Sequence, residues 1–109
     1  MAKEAAASMQ RLQSIEQALG QLEQQRQQVQ SQLFEIDSAI ASLKGVTKSY
    51  KIVGNIMVDA KPDELLKELQ QKKEVLEVRN QSIEKQEQKL RDNAKSLQED
   101  LRKPQGGAQ

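Results

Sequence analysis

The stretch Ser49-Tyr50-Lys51-Ile52-Val53-Gly54-Asn55-Ile56-Met57-Val58-Asp59 decides how the rest of the chain is read. β-Branched and aromatic residues favour a pleated strand. Here they flank Gly54-Asn55, a pair that accepts the backbone of a two-residue hairpin turn. Strands are expected at about 49–53 and 56–59. A lone two-stranded hairpin is marginal in water, and its edges carry unpaired backbone groups. The side chains Ile52, Val53, Ile56, Met57 and Val58 are strongly apolar. The chain offers no further strand, so other chains are expected to supply them.

Outward from this stretch the composition changes abruptly. Residues 46–60 contain no Gln and no Glu, whereas the whole chain has 18 Gln, six of them from Gln21 to Gln30. Gln-rich sequence is often low in complexity, but here a period runs through it. Leu12, Ile15, Leu19, Leu22, Arg26, Val29, Leu33, Ile36, Ile40 and Leu43 alternate in steps of three and four. Nine of these ten are aliphatic, which makes a heptad seam. A helix is expected over about 5–44, stopped by Gly45, with Gly20 as a soft point inside it. On the far side, Leu69, Leu76, Ile83, Leu90 and Leu97 are spaced by seven, with Leu66, Lys73, Asn80, Glu87, Ala94 and Leu101 as companions. Pro62 at the first helical position, then Asp63 and Glu64, opens a second helix. Pro104 and Gly106-Gly107 close it at about 103 and leave a flexible tail, 104–109.

Composition agrees with an elongated, mainly helical protein. Of 109 residues, 36% are hydrophobic and 2% aromatic, too few to fill a compact core of that size. The fold class expected is mainly α: a long antiparallel two-helix coiled coil with one β-hairpin at the helix–helix connection. Helices of about 40 residues span roughly 60 Å, and facing residues lie symmetrically about residue 54. Arg26 then comes level with Asn80, Glu84 and Glu87, and either pairs with one of them or reaches out to water. Phe34, Val75 and Val78 stand off the seam, as a subunit contact or as scattered surface residues.

Several functions are disfavoured by what is missing. The chain has no Cys and no His, so no disulfide or thiolate metal site is expected, and the commonest general base is absent. No catalytic residue, metal or cofactor is expected, and the chain is read as non-enzymatic. Val53-Gly54-Asn55 lacks the pattern of a phosphate loop. Asp63 with Glu64, or Glu84 with Glu87, sit among lysines on a solvated helix and make a poor cation site. A net charge of +1 speaks against a nucleic-acid partner despite Lys44, Lys48, Lys51 and Lys61. Neither a membrane span nor a signal peptide is read, so the expected location is cytoplasmic.

The sequence resembles the prefoldin β subunits, most of all the archaeal kind, over nearly its whole length. The most specific residues are Ser49-Tyr50-Lys51-Ile52-Val53-Gly54-Asn55-Ile56-Met57-Val58, then Asp63-Glu64-Leu65-Leu66-Lys67-Glu68-Leu69, Leu76-Glu77-Val78-Arg79-Asn80 and Glu84-Lys85-Gln86-Glu87. One departure is the short basic link Lys44-Gly45-Val46-Thr47-Lys48, where the family often has an acidic, proline-containing loop. The resemblance implies a single prefoldin-like domain, 1–109, acting as an ATP-independent holdase chaperone subunit. Two α and four β subunits would join hairpins into an intersubunit β-barrel through Tyr50, Ile52, Val53, Gly54, Ile56, Met57 and Val58. The distal tips would bind unfolded polypeptides and pass them to a group II chaperonin. Met1, Met9, Leu12, Ile15, Leu97 and Leu101 are the client-binding candidates there, alongside Leu90 as a seam position. The alternative is a scaffolding coiled coil, which would not need the apolar hairpin.

Overall fold

In a computed structural model, which describes residues 2–102, two helices flank one hairpin in the order α1 (Ala2–Ser42), β1 (Ser49–Val53), β2 (Ile56–Ala60), α2 (Pro62–Arg102). Met1 and the tail 104–109 lie outside the described residues, as does the expected end of α2 at 103. Helix α1 starts a few residues before the expected position because Ala5-Ala6-Ala7 are strong helix formers, with Glu4 in the first turn facing the positive end of the helix dipole. It runs unbroken through Gly20, where an added Cβ would meet nothing within 4 Å. Its last turn tightens: the Leu43 amide donates to both Ala39 and Ile40 carbonyls at 3.1 Å, and that of Lys44 to Ala41 at 3.3 Å. Gly45 then takes a φ of 73°, the left-handed conformation that ends helices, and does so with little strain because it has no side chain.

The hairpin has the register the sequence suggests. Val53 pairs with Ile56, Ile52 with Met57, Lys51 with Val58, Tyr50 with Asp59 and Ser49 with Ala60. Gly54 carries the turn with a φ of 62°. Strand β2 extends one residue beyond expectation because the Ser49 hydroxyl donates to the Ala60 carbonyl at 2.6 Å and closes the open end of the ladder. Helix α2 begins directly after, with Pro62 first, acidic Asp63 and Glu64 in the first turn, and the Leu65 amide bonded to the Lys61 carbonyl at 2.9 Å.

The helices run antiparallel, and the chain forms two compact units. One is built from residues up to Gln27 and from Ser82 onward, the other from Gln28–Gln81. In the first, Leu22 and Ile83 are buried and Leu12, Ile15, Leu19, Leu90, Ala94, Leu97 and Leu101 are half-buried around them. In the second, Val29 is buried, with Leu33, Ile36, Ile40, Leu43, Leu66, Leu69 and Leu76 half-buried. Both sets are seam positions, so the periodicity located the interior. No helix among the described residues is long and apolar enough to cross a membrane.

Because so few side chains are fully buried, each should weigh heavily. Ile83→Ala, at a site 3% exposed, is expected to lower stability by about 2–4 kcal/mol. Phe34→Ala, at a site 74% exposed, should change it by less than ~0.5 kcal/mol. Urea unfolding followed by circular dichroism measures both.

Candidate functional site

Side chains alternate between the two faces of a hairpin, and here the faces differ. Tyr50, Ile52, Met57 and Asp59 share one face, and every one of them is exposed. Ile52 and Met57, directly opposite each other, are 71% and 66% exposed. On the other face Ser49, Val58 and Ala60 are half-buried, while Lys51, Val53 and Ile56 are exposed. The Lys51 ammonium lies 3.7 Å from the Glu68 carboxylate and so links this face to α2. Lys72 also lies 3.9 Å from Glu68; this face thus has an ion pair to α2, while Val53 and Ile56 near the turn stay 56% and 65% exposed. Two strands carrying this much uncovered aliphatic surface form an incomplete sheet.

The candidate residues at the helix ends belong to the other unit. Ile15 and Leu97 line an open groove of about 680 Å³ together with the small side chains Ala7, Ser14 and Ser96 and the polar Gln10, Arg11 and Asn93. Met9 is exposed; Leu12 and Leu101 are half-buried and do not line the groove. Two aliphatic side chains among small and polar ones thus line an open groove, not the enclosed pocket of a small-molecule site.

Two polar clusters interrupt the seams. In the first unit Arg26 Nε lies 3.7 Å from Glu87 Oε1, and Arg26 also hydrogen-bonds Glu23. Of the three partners considered for Arg26, Glu87 forms an ion pair with it, and the charge of Glu84 also acts on it. In the second unit Lys73 meets Asp37 at 2.8 Å. Symmetry about residue 54 pairs position 26 with 82 and 37 with 71, so the observed partners lie five and two residues further along α2. The off-seam residues Phe34, Val75 and Val78 are all exposed. Val75 lines a second groove with Ile36, Leu69 and Leu76, while Phe34 and Val78 are not among its lining residues. Periodicity alone does not reveal these grooves, because they depend on side-chain size at positions beside the seam.

The charged clusters shift their members. The hydrogen bond from Arg26 holds the Glu23 carboxyl below its ordinary value of 4.5, against the opposing effect of burial. Glu23 in turn raises Arg26, first by that hydrogen bond and then by charge. The hydrogen bond to Asp37 likewise raises Lys73 above 10.5.

Comparison with known proteins agrees with this architecture. The family described as "Prefoldin subunit" matches residues 6–108. The prefoldin subunit beta of Archaeoglobus fulgidus is 38% identical over 102 residues, covering 88% of each chain. That of Pyrococcus furiosus is 36% identical over 108 residues, covering 93% of this chain and 92% of the relative. The crystal structure of the prefoldin beta subunit from Thermococcus strain KS-1 superposes with a TM-score of 0.83 at 36% identity, covering 92% and 94% of the two chains. Two helices around an exposed hairpin are the architecture shared with that prefoldin beta subunit. By sequence and by structure the chain belongs to the prefoldin subunit family and is similar throughout to its β subunits. Membership of that family carries a chaperone role and assembly with other prefoldin subunits.

The shifted groups give a signed prediction. Glu23 titrates lower folded than unfolded, so its contribution is complete above about pH 4.5 and lost as pH falls through the folded value. Lys73 behaves oppositely, contributing fully below about pH 10.5 and less as pH rises through its folded value. Glu23→Gln is expected to flatten the decline of the urea midpoint below pH 4.5 while leaving its alkaline limb unchanged.

Proposed function

We propose that the chain is the β-type subunit of an ATP-independent holdase. Residues 1–109 act as one prefoldin-like domain. The hairpin residues Tyr50, Ile52, Val53, Gly54, Ile56, Met57 and Val58 join the hairpins of neighbouring subunits in an intersubunit β-barrel, in a hexamer of two α and four β chains. The observation that carries this reading is the exposed face of Tyr50, Ile52 and Met57 on a two-stranded sheet. An exposed apolar face on a sheet with unpaired edges marks a surface meant for another chain.

Clients are held at the unit that contains the helix ends, by Met1, Met9, Leu12, Ile15, Leu97 and Leu101. The open groove of Ile15 and Leu97 supports this role, as does the exposed Met9, whose flexible thioether fits many shapes. Each such site binds weakly, and several together bind firmly through effective concentration. Unfolded polypeptide is then passed to a group II chaperonin in the cytoplasm. No cofactor is required, since weak exchangeable contacts suffice for holding and release.

The test separates holding from assembly. With Ile15→Asp/Leu97→Asp the chain, mixed with its partner subunits, should still assemble but lose most of its suppression of aggregation of a denatured client without ATP. Unchanged suppression would place the client site elsewhere, and loss of assembly would contradict the division of roles.

A further inference from the structure

Aliphatic seams alone do not fix the offset of two antiparallel helices. Leu12 and Leu19 repeat by seven in α1, and Ile83, Leu90 and Leu97 do so in α2, so a slide of one heptad again sets aliphatic against aliphatic. The connection at the hairpin leaves slack. The six residues 43–48 between α1 and β1 reach about 20 Å when extended, while seven residues of helix advance ~10 Å. The layer of Arg26 and Glu87 breaks the degeneracy.

Glu87 is only 2% exposed although it is a carboxylate. Arg26 Nε lies 3.7 Å from its Oε1, and Arg91 Nη2 lies 3.7 Å from its Oε2. Arg26 is tied in turn to Glu23, so two acids and two bases cancel. Yet the Arg26 Nε is buried and makes no hydrogen bond. An ion pair that buries its carboxylate with incomplete hydrogen bonding adds little stability over apolar residues of similar size, whereas taking the cation away from a buried carboxylate is costly. We infer that the Arg26–Glu87 layer is a register lock, selecting one offset of α1 against α2 in this unit at some cost in stability. A slide one way faces Arg26 with Ala94, and a slide the other way faces Glu87 with Leu19. Either separates Arg26 from Glu87 and leaves the buried Glu87 facing aliphatic carbon, with Arg91 on its own helix as its cation. Glu16 stands three residues before Leu19 as Glu23 stands before Arg26, so the lock can be moved by one heptad.

The chain has no cysteine, and spin labels at Gln13→Cys and Lys85→Cys report the offset by pulsed electron resonance in the full chain. The unmodified layer should give one distance. Arg26→Leu/Glu87→Leu should melt no lower than the parent yet add a second distance reflecting the ~10 Å slide. Leu19→Arg/Arg26→Leu should give one displaced distance as position 19 takes over the pairing with Glu87. A single unshifted distance in the double-leucine variant overturns the lock. If that variant does not fold, an unshifted distance in the relocated-arginine variant overturns it equally.

Discussion

The aliphatic seam is the interaction on which everything else in this chain depends. With 2% aromatic residues there is little bulk for a layered core, and Leu22, Val29 and Ile83 are the buried hydrophobic residues among those described. Burial of apolar carbon is the main favourable term in folding, so a stripe two residues wide in each heptad sustains each helix. Neither helix has another surface on which to shelter its aliphatic face. That requirement makes the helices pair antiparallel about one short connection, and it leaves the connection itself uncovered.

The hairpin follows from the same shortage. Lys51 and Glu68 link one face to α2, but among the described residues none covers Ile52 and Met57. A prefoldin subunit in isolation therefore has an unfinished sheet. In the proposed assembly the neighbours finish it. The helix ends carry a smaller amount of accessible aliphatic carbon, at Met9, Ile15 and Leu97. In the same unit as the helix ends, the buried Glu87, held by two arginines, is a site where uniqueness of packing is favoured over maximal burial.

Much of this was legible in the sequence, because heptad spacing and turn chemistry are local signals. The alternation through Leu12 to Leu43 located the half-buried stripe of α1, and Gly54-Asn55 located the turn within an antiparallel ladder. Gly45 ended the first helix through its backbone conformation. What depends on three-dimensional offset was less legible. Arg26 was expected level with several polar residues, and its pairing with Glu87 depends on side-chain reach and helix offset. The grooves were hidden because they arise from small side chains such as Ala7, Ser14 and Ser96 beside larger ones. Phe34 and Val75 look alike as off-seam residues, yet Val75 lines the groove of Ile36, Leu69 and Leu76 and Phe34 does not.

The central claim is that this chain completes its fold through the exposed hairpin in the company of prefoldin partners. Native mass spectrometry of the chain mixed with an α-type prefoldin subunit tests it most directly. The account predicts a dominant species containing two α chains and four copies of this chain. A chain that stays monomeric, with the α subunit free beside it, would contradict the account.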